Sequence, residues 1–206
     1  MLLVEYDDGS VYRGQILNNM KHGVGKITIY DGSTYEGDFF EDEFHGKGVY
    51  VSDELEYNGE WKDGYCDGQG KETWPDGSVF EGTFLMGAKT GKGVYNWIDG
   101  SSYEGDWVNG VISGTGKFKY INGDVYEGEF LEGKKNGKGK LTRKSGDVYE
   151  GDFVKGKMEG EGEFKYVNGN RFVGTFKNGK QHGKGTQYFK EGTRVKGTWS
   201  NGKMDE

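Results

Sequence analysis

Apolar and charged side chains alternate with a period of two along this chain, and glycine-bearing turns interrupt the alternation at regular intervals. Tyr103-Glu-Gly-Asp-Trp107 sets Tyr103, Gly105 and Trp107 on one side of a strand, with Glu104 and Asp106 on the other. Beyond Asn109–Gly110 the pattern resumes, with Gly114, Gly116, Phe118 and Tyr120 on one face and Lys117 and Lys119 opposite. Asn109–Gly110 and Asn122–Gly123 are turn dipeptides of the hairpin kind. Asp31–Gly32, Asp76–Gly77 and Asp99–Gly100 take the latter position elsewhere. No stretch carries the i, i+3, i+4, i+7 stripe of an amphipathic helix. The pattern therefore predicts an all-β chain: an elongated, single-layer antiparallel meander of stacked hairpins.

The hairpins repeat. An aromatic-x-Gly fragment recurs at Tyr12–Gly14, Tyr35–Gly37, Tyr57–Gly59, Phe80–Gly82, Tyr103–Gly105, Tyr126–Gly128, Tyr149–Gly151 and Phe172–Gly174, 23 residues apart except for one step of 22 into Gly59. A Gly-x-Gly mark keeps the same period, from Gly23/Gly25 to Gly183/Gly185. Such a period means an array in which each unit touches its neighbours. The units read 12–34, 35–56, 57–79, 80–102, 103–125, 126–148, 149–171 and 172–194. Residues 1–11 match the second half of a unit, and 195–206 begin a ninth whose aromatic is replaced by Val195. Both partial units read as an excision from a longer array. At about 4.8 Å per strand, eight units predict a ribbon of roughly 75 Å.

Glycine inside strands normally costs stability. Here the 40 glycines are periodic, and an aromatic lies two residues away on the same face. A glycine leaves room for a flat ring to lie across the backbone. Aromatics in register argue against disorder. Cys66 is the only cysteine, which excludes an intrachain disulfide and fits a cytosolic or cytoskeletal setting. No apolar run reaches the ~20 residues of a membrane-spanning helix. The net charge of −7 is uneven: residues 1–103 hold 8 Lys/Arg against 19 Asp/Glu, and 104–206 hold 19 against 15. An acidic chain is a poor non-specific binder of nucleic acid or anionic lipid.

Tyr-Glu-Gly-Asp-Trp, Asn-Gly, Gly-x-Gly and Asp-Gly at this spacing resemble the MORN repeat (membrane occupation and recognition nexus) over residues 12–206. Repeat two departs by losing a residue near Asp53–Glu56, and repeat nine departs at Val195. Family members with catalytic activity carry it outside the repeats. A chain made of repeats alone is similar to the cytoskeletal scaffolds of apicomplexan and kinetoplastid parasites. That resemblance implies a non-enzymatic, cytoplasmic, cytoskeleton-associated scaffold without cofactor, which dimerises and recruits cytoskeletal or adaptor proteins.

Candidate sites follow from the pattern. The edge of the C-terminal repeats, with Phe172, Phe176, Phe189, Val195 and Trp199, is the expected dimer interface. An aliphatic stripe three residues after each motif glycine, at Leu17, Phe40, Leu85, Val108, Leu131 and Val154, lies opposite the rings and reads as a partner surface; it turns polar at Lys62, Lys177 and Ser200. Lys134, Lys135, Lys138, Lys140, Arg143 and Lys144 form the best basic cluster for the alternative function, phosphoinositide binding with weak membrane association. His182, with Glu161, Asp205 and Glu206, is a weak metal candidate at a dimer contact. Gly87-Ala-Lys-Thr-Gly91-Lys92 falls one residue short of a phosphate loop and Gly93 replaces its Ser/Thr, so it reads as a hairpin loop. The carboxylates Glu36, Glu81, Glu104, Glu127 and Glu150 recur as lattice positions rather than a hydrolytic pair, and pair with Lys117, Lys119 and Lys140. Cys66 reads as an exposed, idle loop thiol.

Overall fold

A computed structural model describes residues 2–205. Among them there is no helix, and the strands belong to one antiparallel sheet. The chain divides into two compact units. The first runs to Ile98 and adds Trp107–Gly110; the second comprises Asp99–Asp106 and the chain from Val111 onward.

The first unit holds β1 (Leu2–Glu5), β2 (Val11–Leu17), β3 (Met20–Thr28), β4 (Thr34–Phe40), β5 (Glu43–Val51), β6 (Glu56–Lys62), β7 (Tyr65–Thr73), β8 (Val79–Leu85) and β9 (Ala88–Asn96). β10 (Ser102–Val108) contributes residues to both units. The second unit continues with β11 (Val111–Lys119), β12 (Val125–Leu131), β13 (Lys134–Thr142), β14 (Val148–Val154), β15 (Lys157–Lys165), β16 (Arg171–Lys177), β17 (Lys180–Tyr188), β18 (Arg194–Ser200) and β19 (Lys203–Met204). Within each unit, consecutive strands pair as expected of a meander.

Two turn types alternate. The hairpin tips are two-residue turns with both residues at positive φ, the type I′ geometry that matches strand twist. Asn109 and Gly110 have φ of 49° and 79°. Met86, Glu132 and Lys155 hold the first position in their tips, each near 49° and each followed by glycine. The second turn differs from the simple dipeptide expected. Tyr120 N–H donates to Asp124 O and Gly123 N–H to Tyr120 O, both at 2.9 Å, and Gly123 alone takes positive φ there. In repeat two the missing residue shortens this turn, so that Ser52 N–H donates directly to Leu55 O at 2.9 Å.

Within each unit the core is an aromatic file on one face of the sheet. Tyr12, Tyr35, Phe80, Tyr103, Tyr126 and Phe172 have no exposed surface. A motif ring typically meets the second aromatic of its own strand and that of the next hairpin edge to face; Tyr12, whose strand has Ile16 there, meets Phe39 of the next hairpin. Tyr126 lies 5.0 Å from Phe130 and 4.9 Å from Phe153. Such pairs contribute about 0.5–1.5 kcal/mol beyond their buried area. The ring also crosses two glycines. A Cβ on Gly128 would stand 2.5 Å from Gly139 Cα and 2.7 Å from the Tyr126 phenol oxygen.

Each motif tyrosine is then pinned through its hydroxyl. Tyr126 donates to Glu129 O at 2.9 Å, and the same bond ties Tyr12 to Gln15, Tyr35 to Asp38, Tyr57 to Glu60, Tyr103 to Asp106 and Tyr149 to Asp152. The accepting residue sits in a bulge: between Gly128↔Gly139 and Phe130↔Lys135, Glu129 faces three residues of β13. Its carboxylate accepts the Lys138 amide at 2.8 Å, and Gln15, Asp38, Glu60, Asp106 and Asp152 do the same for their own hairpins. Where the motif aromatic is Phe80 or Phe172, a threonine, Thr83 or Thr175, replaces this side chain.

Two outcomes test this core. Gly128→Ala should cost about 2 kcal/mol or more through overpacking. Gly133→Ala, whose Cβ meets open space at φ +74°, should cost about 1 kcal/mol. Denaturant midpoints of the two variants measure the difference. Burial raises the phenols of Tyr35, Tyr57, Tyr126 and Tyr149, and pushes Tyr103 up to about 12 from its ordinary 10.0. Folded values above the unfolded one mean stability is intact below about pH 10 and falls as pH rises beyond it. The midpoint should decline from about pH 10 upward, and less steeply in Tyr126→Phe.

Candidate functional site

With the aromatic face spent on the core, function falls to the hairpin tips and the opposite, polar face. The tips are tied into a row. Each tip amide donates to a carbonyl of the preceding hairpin: Gly64 to Phe44 and Gly87 to Cys66 in the first unit, Gly156 to Lys135 and Gly179 to Met158 in the second, at 2.8–3.0 Å. Side chains add to this, with Asp67 accepting the Met86 amide and Glu159 the Asn178 amide. The row is a rigid edge, a better platform than free loops.

The aliphatic stripe stands on that edge. Leu17, Phe40, Leu85, Val108, Leu131 and Val154 are 46–57 % exposed, beyond the buried ring positions on their strands. In the first unit, Tyr65 and Met86 lie exposed beside it. The carboxylate row is a surface lattice where bonds are seen: Lys117 pairs with Glu127 at 2.6 Å and Lys26 with Glu36 at 3.0 Å. In the second unit Gly128, Gly139, Gly151 and Gly162 floor a shallow open groove rimmed by Lys138, Lys140, Glu150 and Glu161.

The six basic residues of the lipid alternative do not share a face. Lys135 turns to the aromatic side, its ammonium 5.4–5.6 Å from the Tyr120, Tyr126 and Phe153 rings, and burial lowers its pKa. Arg143 lies over the Phe164 ring at 5.2 Å. Lys138 pairs with Asp152 at 2.6 Å. Lys140 faces Glu127 in register. Lys134 is at the tip edge, and Lys144 packs over Gly123 at the other end of its hairpin. Strand alternation disperses what is adjacent in sequence.

The dimer residues divide as well. Phe172, Phe176 and Trp199 are 0 %, 4 % and 5 % exposed, filled into the chain's own aromatic file. Phe189 is half-buried, and Val195 is 37 % exposed. Met204, 48 % exposed on β19, joins them at this end of the sheet. Among the described residues, Arg194–Gly197 of β18 pair with β17 on one side only.

His182 is half-buried, and its carbonyl accepts the Thr175 hydroxyl. Among the described residues no three ligating side chains gather into a metal cluster; Glu206, paired with His182 in the sequence reading, lies outside those residues.

Cys66 corrects an expectation. It is a strand residue of β7, facing Trp61 in register, and not an exposed loop thiol. Phe44 and Met158 hold the same position across from the second ring in their own hairpins and also pack into the aromatic file. Burial pushes the thiol up to about 12, helped by Glu72.

One feature was missed. Lys134, Lys157, Lys180 and Lys203 keep the 23-residue period, opposite Leu131, Val154, Lys177 and Ser200. The 23-residue spacing is visible in the sequence, but of these four only Lys134 belongs to the basic cluster of residues 134–144.

These hairpins define a repeat protein built of one recurring β unit. The chain belongs to the MORN repeat family, whose signature matches residues 12–34, 35–53, 57–79, 80–102, 103–125, 126–148, 149–171, 172–194 and 196–205. No curated protein matches it. Among solved structures it is similar in fold to the G-box domain of the microcephaly protein CPAP, at 10 % identity over 97 % of this chain and 99 % of that one, with a TM-score of 0.51. The TCP10 domain of Danio rerio CPAP is alike to the same degree, at 10 % identity, 96 % and 100 % coverage and a TM-score of 0.52.

The raised Cys66 pKa has a direct consequence. At pH 8 the thiol should react with a neutral maleimide or disulfide reagent far more slowly than a free cysteine, and at the free rate once the chain is unfolded in denaturant. Equal rates in both states would contradict the burial.

Proposed function

We propose that the chain is a non-enzymatic protein-interaction scaffold of the cytoskeleton that self-associates through its C-terminal repeats. The carrying observation is the rigid, exposed tip edge: its backbone groups are fixed by inter-hairpin hydrogen bonds, and the apolar side chains it displays take no part in the core. A docking platform needs that arrangement; a catalytic centre needs convergent groups in a cleft. The cytoskeletal setting draws on the fold shared with CPAP, whose G-box domain is described with a suggested role in centriole elongation.

Self-association is supported by the exposed Val195 and Met204, which β18 and β19 present at the same end of the second unit. Exposed apolar side chains on neighbouring strands offer a patch that a twofold copy of the same patch can cover. Phe172, Phe176 and Trp199 would stiffen this patch from within rather than touch the partner.

Light scattering at micromolar concentration should give twice the chain mass. Val195→Glu with Met204→Glu should return a monomer with an unchanged circular-dichroism spectrum. A wild-type monomer, or a dimer that survives both charges, would overturn the interface.

A further inference from the structure

The column occupied by Lys134, Lys157, Lys180 and Lys203 holds Met20, Glu43, Tyr65 and Ala88 in the first unit. On the same edge of the second unit stand Lys155, at a hairpin tip, and Lys177. All six are exposed. Among the described residues none of the six has a carboxylate partner; Lys157 reaches the Asn178 side-chain oxygen at 3.3 Å. Lys177 and Lys180 are directly opposed in register. Like charges placed so destabilise a sheet. The fold therefore gains nothing from this arrangement, and an anionic occupant would relieve it.

Geometry narrows the occupant. Successive lysines of the column are two strands apart, about 9.6 Å. That exceeds the Debye length of about 8 Å at physiological salt, so the ammonium groups act as separate points rather than one smeared field. A polyproline-II segment has three residues per turn and a rise of about 3.1 Å, so every third side chain falls on one side about 9.3 Å apart. Exposed Val154 stands between Lys134 and Lys157, and exposed Leu131 lies beside Lys134 on the preceding strand, so both offer apolar contact to the intervening residues, while Lys177 stands between Lys157 and Lys180.

We propose that the hairpin-tip edge of the second unit docks an extended acidic segment of a partner protein, with a carboxylate at every third position meeting Lys134, Lys157 and Lys180 in turn. This deepens the scaffold reading by naming the chemistry of one partner. It rests on that reading in taking the occupant to be a protein, and uses a surface apart from Val195 and Met204.

The test is fluorescence anisotropy of the intact chain with a labelled peptide of repeated Glu-Pro-Pro. A second peptide has the same residues with its glutamates adjacent. The periodic peptide should bind more tightly, and added salt should weaken it. Lys134→Gln, Lys157→Gln and Lys180→Gln together should weaken it about tenfold or more, the combined effect of three exposed ion pairs. Lys144→Gln, Lys184→Gln and Lys190→Gln together remove the same charge from elsewhere on the second unit and should leave binding nearly unchanged. Equal binding of both peptides, equal loss in both triple variants, or binding to phosphatidylserine vesicles without binding to the periodic peptide would each overturn the proposal. The light-scattering mass is independent of these outcomes, so the docking site can fail while the scaffold reading stands.

Discussion

A ring laid across two glycines is the contact on which this structure depends. Tyr126 can cover Gly128 and Gly139 because neither carries a Cβ, and once there it blocks any other residue at both positions. A single-layer sheet has no second layer to bury its apolar face. The rings supply one by lying flat, so each hairpin carries its own thin core and shares an edge-to-face contact with the next. This coupling runs between neighbours, as in other repeat arrays. It also explains why glycine, normally a weakness in a strand, recurs at these sites.

The same contact organises the polar groups. The phenol must find an acceptor at the edge of the ring, and the bulged residue provides its carbonyl. The bulge in turn frees the middle amide of Gly-x-Gly, and the side chain of the bulged residue accepts it. Tyrosine therefore travels with Gln, Asp or Glu three residues on, and phenylalanine with threonine. Two positions that look independent in sequence answer one hydrogen-bonding problem.

Much of the fold was legible because its causes are local. The period-two alternation, the turn dipeptides and the glycine spacing each act within one hairpin. What escaped was set by pairing across strands. The bulge at Glu129 adds residues to one strand only, which no single-strand pattern reveals. Cys66 looked like a loop residue because Tyr65 and Asp63–Gly64 flank it, yet its register against Trp61 places it in the file. Phe172, Phe176 and Trp199 looked available to a partner because they come late in the chain, although each meets the aromatic file within its own unit. The basic cluster near residue 140 looked continuous because sequence neighbours were taken as spatial neighbours. In a strand they are the residues most surely separated.

The tip edge shows what the repeat leaves free to vary. Ring, glycine and bulged side chain are bound into one geometry, so they recur with little change. The residues just outside them touch solvent and answer to no packing constraint, so their differences report on something other than the fold. The column that holds Met20, Glu43, Tyr65 and Ala88 in the first unit becomes Lys134, Lys157, Lys180 and Lys203 in the second, while the column of Leu17, Phe40 and Leu85 continues as Leu131 and Val154 before turning to Lys177 and Ser200. A solvated edge without a function would not be expected to place Lys177 against Lys180 and repeat lysine at the hairpin spacing. The backbone regularity that makes the array stable also sets that spacing. A comb of point charges on a rigid pitch can discriminate among acidic chains by the interval between their charges, which a flexible basic tail of the same composition cannot do.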